Sequence, residues 1–154
     1  MGLLVSMVAG LAALSSQAAA DESRRWDWVP IEGAIVAWVT DTLPGAPTTG
    51  KVQMVRFVAL SRPNASMPTA PFDGMFQQLE FDCAARTYRI EGGVYITRDF
   101  EVNGAMDPDD FRPTNPGMSE YALMVVACDA VQANGVRHTT DLRGIAQALW
   151  AAGG

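Results

Sequence analysis

The sequence predicts an α+β domain. It has about six strands, a buried helix, one disulfide and a C-terminal amphipathic helix. Three observations carry this. Short runs rich in β-branched and aromatic residues, separated by Pro- and Gly-containing turns, fill residues 26–102. The apolar stretch Tyr121 to Cys128 follows a helix-start pattern, Pro116-Gly117-Met118-Ser119-Glu120. The only two cysteines, Cys83 and Cys128, bracket the second half of these elements.

Residues 1–20 carry no charged side chain, and the stretch from Leu3 to Leu14 is apolar. Small residues follow, with Ala18 and Ala20 at the −3 and −1 positions of a cut after Ala20. That is the layout of a secretory signal peptide, although no Lys or Arg precedes the apolar core. The core, about 12 residues, is short of the roughly 20 that span a bilayer. The segment therefore reads as removed rather than as an anchor, and no later stretch is long and apolar enough to insert. The expected organisation is an export segment over 1–20, a sheet-plus-helix domain over 21–130, and a connector with an amphipathic helix over 131–154. The expected location is an oxidising compartment outside the cytoplasm.

Two cysteines behind an export signal point to one disulfide in an oxidising compartment. Neither lies in a Cys-x-x-Cys or Cys/His spacing, and the single histidine is His138. The alternatives, a metal pair or a reactive thiol, lack their usual patterns. The net charge is −6, and of the 11 basic residues only Lys51 is a lysine. An acidic chain with scattered arginines lacks the positive field that non-specific nucleic-acid binding needs.

In chain order, Trp26 and Trp28 share one face of a first strand that Pro30 closes. Ala34 to Val39 is a second strand and Leu43 to Gly50 a turn-rich loop. In Lys51 to Leu60, Val52, Met54, Val58 and Leu60 share one parity. Val55 and Phe57 on the other imply cover on both faces near the middle. Arg56 falls on the apolar parity, which suits an arginine at a sheet end or one paired with a carboxylate. A three-proline loop over 61–71 contains a short glycosylation sequon, Asn64-Ala65-Ser66. Further strands are expected at Met75 to Cys83, Arg86 to Ile90 and Val94 to Val102. Gly92-Gly93 is read as a bulge or turn and Asn103-Gly104 as a hairpin turn. The segment from Met106 to Pro116 reads as a solvated acidic loop, because Asp107, Asp109 and Asp110 lack a calcium-loop register. Ser119 is the expected N-cap of a buried helix, with Val125-Val126 leaving a strand as the alternative. Val131 to Thr139 is a connector. Leu142, Ile145, Ala146, Leu149 and Trp150 give the apolar stripe of a last helix from about Asp141 to Ala152.

The order of these motifs resembles the surface-adhesin protein E-like family of small exported bacterial domains. The residues that carry the likeness are Trp28-Val29-Pro30, Ala37-Trp38-Val39-Thr40-Asp41-Thr42, the strand at Val52 to Leu60, and Leu79-Glu80-Phe81-Asp82-Cys83. Behind them come Arg86 to Arg89, Pro116-Gly117-Met118-Ser119 and Val126-Ala127-Cys128. The likeness covers residues 26–128. Trp38 stands where that family more usually has a tyrosine, and residues 129–154 extend beyond its last cysteine. The resemblance implies an antiparallel sheet packed by a helix, with Cys83 bonded to Cys128, in an envelope protein without catalysis, at the periplasm or cell surface of a Gram-negative bacterium.

No catalytic, cofactor or metal site is expected. His138 has no Gly-x-Ser-x-Gly elbow or other triad context and is expected to be exposed near a helix start. Asp41, Asp82 and Asp99 are the strand-end carboxylates of an alternative reading, a small periplasmic hydrolase or lyase. The blander expectation is that they are solvated or paired with Arg86 or Arg89. Trp26, Trp28, Trp38, Tyr88 and Tyr95 are expected to be mostly core rather than a recognition surface. The leading expectation is a non-enzymatic binding or accessory module, adhesin-like, with an unknown protein or envelope partner. A third is a structural component that forms a homodimer through an edge strand or the last helix.

Overall fold

The computed structural model describes residues 24–40, 45–64 and 71–153. The expected export segment, Asp41, the start of the Leu43 to Gly50 loop, and most of the 61–71 loop with two sequon residues lie outside this range. The alternating runs form β1 (Trp26–Ile31), β2 (Ala34–Thr40), β3 (Lys51–Asn64), β4 (Phe72–Asp82), β5 (Thr87–Ile96), β6 (Val102–Met106), β7 (Arg112–Pro113) and β8 (Arg137–Thr139). The helices are α1 (Ser119–Asp129) and α2 (Leu142–Ala152). All eight strands join one antiparallel sheet in the order β6-β5-β4-β3-β2-β1-β8, with the short β7 also paired to β5. Among the described residues, no helix is long and apolar enough to cross a membrane.

Because side chains alternate across a strand, each strand supplies two faces. One face holds Val36, Trp38, Val52, Met54, Leu79, Phe81 and Tyr88, covered by Leu123, Met124 and Ala127 of α1. The other holds Trp26, Ile35, Ala37, Phe57, Ala59, Phe76 and Val94, covered by Leu142, Ala146 and Trp150 of α2. The two helices thus sit on opposite faces of the sheet. This is why β3 is apolar on both parities in its middle. Cys83, just beyond β4, is bonded to Cys128 in the last turn of α1, which fastens that helix to the sheet. Arg86 grips the same end through Asp129, with contacts of 2.8 and 3.1 Å.

Several local expectations are corrected. The Arg86 to Ile90 and Val94 to Val102 runs are not two strands. β5 is continuous from Thr87 to Ile96, and Gln78 pairs with Gly92 while Leu79 pairs with Ile90, so Glu91 is the extra residue of a bulge. The hairpin turn is at Thr97 to Glu101, where Phe100 takes a φ of 63°. Asn103-Gly104 lies inside β6 instead, with Gly104 opposite Tyr95. Packing outweighed turn propensity here: the Phe100 ring stacks on Phe57 at 6.0 Å and meets Trp150 edge-on at 5.4 Å. β3 runs on to Asn64, through the first residues of the expected loop. The N-cap of α1 is Met118 rather than Ser119, and no side chain caps it. The expected connector contains β8, which pairs with β1 and carries His138 in a strand.

Candidate functional site

Strand register assembles one row of residues across the whole sheet. His138 lies opposite Asp27, and Asp27 opposite Trp38. Trp38 lies opposite Arg56, Arg56 opposite Gln77, Gln77 opposite Gly93, and Gly93 opposite Met106. All lie on the face that α1 covers in part.

In the middle of the row, Arg56 is 6% exposed. Its Nε donates to Gln77 Oε1 at 2.8 Å, and its Nη1 donates to Glu120 Oε1 at 2.7 Å. Gln77 Nε2 in turn reaches Met106 Sδ at 3.4 Å. Burial alone pushes the Glu120 carboxyl up. Attraction to Arg56 and hydrogen bonds from Arg56, its own backbone N–H and Ser119 outweigh this and hold it below the ordinary value. This cluster ties the first turn of α1 to the sheet, where the helix lacks a side-chain cap.

At the other end, α1 leaves β1 and β8 uncovered. The gap between those strands, the end of β2 and the end of α1 is a cleft of about 430 Å³. Val126, Ala130, Val131 and Ala133 form an apolar wall from α1 and the segment after it. Arg25, Asp27 and His138 form the opposite, polar wall, with Trp38, Val39, Thr40 and Gln132 completing the lining. Arg25 and Asp27 share this wall because they are two residues apart along an extended chain. His138 Nδ1 lies 2.6 Å from Asp27 Oδ1. That contact fixes the ring and leaves Nε2 as its free nitrogen. The carbonyls at the end of α1 are engaged by the 45–48 loop: Thr48 N–H donates to Cys128 O at 2.8 Å and Gly45 N–H to Ala130 O at 3.3 Å.

Of the candidate carboxylates, Asp82 and Asp99 are not brought together. Asp82 pairs with Thr87 at one end of the β4–β5 ladder, and Asp99 follows Ile96 beyond the other end, about 30 Å away along the strand. Asp82 accepts the Ala85 N–H at 3.0 Å, and Asp99 is exposed in its turn. Neither is held by the expected arginines: Arg86 pairs with Asp129, and Arg89 with Glu80 and Glu91. Asp109 in the acidic loop accepts the Ile90 N–H and pairs with Arg112 at 2.6 Å. Trp26, Trp38, Trp150 and Tyr88 are buried. Trp28 is half-buried, with Arg137 5.1 Å over its ring.

Asp27 and Arg25 were not singled out by sequence reasoning. The signal that could have found them is the same-face spacing of Arg25 and Asp27 beside Trp26. His138 is 111 positions from Asp27, and nothing in the sequence links the two. Comparison with protein-family models, with curated proteins and with solved structures gives no match.

Proposed function

We propose that this protein is an exported envelope domain that binds a ligand or partner in the cleft beside the end of α1, without transforming it. The observation that carries the reading is the cleft itself, with an apolar wall facing Arg25, Asp27 and His138. Concave sites of about 300–1,000 Å³ that combine apolar lining with a few convergent polar groups are the usual form of small-ligand sites. The signal-peptide layout of residues 1–20 and the Cys83–Cys128 bridge support the oxidising, exported location. The motif order that resembles the surface-adhesin protein E-like family supports an envelope role.

The test uses the full chain. Fractionation is expected to place it outside the cytoplasm, with Asp21 as the mature N-terminus. Species retained from envelope extract are expected to be lost with Val131→Arg in the cleft wall. They are expected to be kept with Val102→Arg at the far edge of the sheet, a position of similar exposure. Cytoplasmic retention, or equal behaviour of the two variants, overturns the reading.

A second reading rests on the His138–Asp27 contact, which supplies the base and orienter of general acid–base chemistry. A turnover abolished by His138→Gln, with the fold intact, favours that reading over simple binding.

A further inference from the structure

Resting on the cleft reading, we propose that its ligand is a small amphipathic anion: an apolar tail with a carboxylate or similar head. The two walls differ in kind. Val126, Val131 and Ala133 offer hydrocarbon, and Val131 is 53% exposed at that wall. An exposed valine beside further apolar side chains suits a hydrocarbon tail, which gains by leaving water there. Across from it stand three ionisable groups, and two are committed to each other, because His138 Nδ1 and Asp27 Oδ1 are in contact at 2.6 Å.

Arg25 is different. It lines the cleft, and it has no hydrogen-bond, ion-pair or ring partner among the described residues. Four other arginines show what a satisfied guanidinium looks like in this protein. Arg56 holds Glu120, Arg86 holds Asp129, Arg98 holds Asp73 and Arg112 holds Asp109. A planar guanidinium matches a carboxylate with two parallel N–H bonds. A cationic head would have to share the Asp27 carboxylate with His138, whereas Arg25 offers an anionic head a guanidinium with no partner among the described residues. At the end of α1, the carbonyls of Cys128 and Ala130 already accept the Thr48 and Gly45 amides. Among the described residues that line this cleft, Arg25 is therefore the ionisable group left without a partner.

The experiment compares three probes with the same tail, octanoate, 1-octanol and octylamine, each below its aggregation concentration. Binding is followed by amide and indole NMR shifts of the mature domain. Octanoate is expected to give saturable shifts at Val39, Val131, Gln132 and His138, about tenfold tighter than 1-octanol. Arg25→Gln is expected to erase that difference while its own spectrum reports an intact fold. Octylamine binding more tightly than octanoate overturns the anion assignment and leaves the cleft reading standing. An Arg25→Gln variant that keeps the octanoate preference also overturns it. No saturable shift with any probe overturns the ligand class, and the cleft then stands or falls on the Val131→Arg comparison above.

Discussion

Arg56 Nη1 donates to Glu120 Oε1 at 2.7 Å, joining the centre of β3 to the first turn of α1 across 64 positions of sequence. The arginine is buried and the carboxylate nearly so. Removing one partner of such a pair leaves the other desolvated and uncompensated. Arg56→Met is expected to cost about 3 kcal/mol, because Gln77 Oε1 and Glu120 Oε1 both lose the guanidinium donor. Glu120→Gln is expected to cost less, about 1–2 kcal/mol, since an amide oxygen still accepts from Arg56. Urea midpoints of the two variants check this order. Equal and negligible losses would show that the pair is not a structural clamp.

The same pair gives an acid dependence. The folded state holds Glu120 below its ordinary value of 4.5. A depressed folded value contributes stability that is present above the unfolded value and lost as pH falls through the folded one. Wild-type stability is therefore expected to fall below about pH 4.5 more steeply than that of Glu120→Gln. Urea titrations at pH 6 and pH 3 measure the difference. Parallel slopes count against the assignment.

The bond between Cys83 and Cys128 spans 45 positions and fastens the end of α1. Loop-closure entropy assigns such a cross-link about 4 kcal/mol. Reduction, or replacement of both cysteines by serine, is expected to lower the melting temperature by about 10 °C or more in a domain of this size. Melts with and without reductant check it, and an unshifted melt removes the bridge from the account of stability.

Gly93 tests the register of the cross-sheet row. A Cβ there collides with the backbone carbonyl oxygen of Phe76 and lies 3.2 Å from both Gln77 Cα and Met106 Sδ. Backbone in the middle of a sheet cannot step aside cheaply. Gly93→Ala is expected to cost about 3 kcal/mol or to prevent folding. Gly45→Ala is the control for an open site, since a Cβ there meets nothing within 4 Å; its cost comes from a φ of 79° alone. Thermal melts of the two variants separate crowding from backbone strain.

Trp150 is 3% exposed and packs edge-on against Phe100 on the face opposite α1. Trp150→Ala is expected to cost about 3–5 kcal/mol. Truncation before Leu142 uncovers Trp26, Phe57 and Ala59 and is expected to yield insoluble protein. A truncated chain with an unchanged melt would show that α2 is dispensable.

Much of the fold was legible because local patterns and packing agree. Runs of β-branched and aromatic residues marked β1 to β4, with period-two alternation clearest in β3. The 3.6 period of Leu142, Ala146 and Trp150 set the buried stripe of α2. Arg56 on an apolar parity left two readings, a sheet end or a carboxylate partner, and the structure gives the second, Glu120. The turn at Thr97 to Glu101 was illegible because the Phe100 ring, not Asn103-Gly104, decided where the chain reversed. The site was less legible still. Arg25, Asp27, Trp38 and His138 come from three separate regions, and no short motif contains them.

By itself the sequence determined the strand-forming runs, the two helical segments and a single cross-link, because side-chain period, turn residues and cysteine count act locally or by elimination. Only the tertiary structure decided that the helices cover opposite faces and that His138, Asp27, Trp38, Arg56 and Gln77 form one row. Register is the reason. Pairing between distant strands is fixed by the burial of whole faces, since a slip of one residue would send every side chain of a strand to the wrong side.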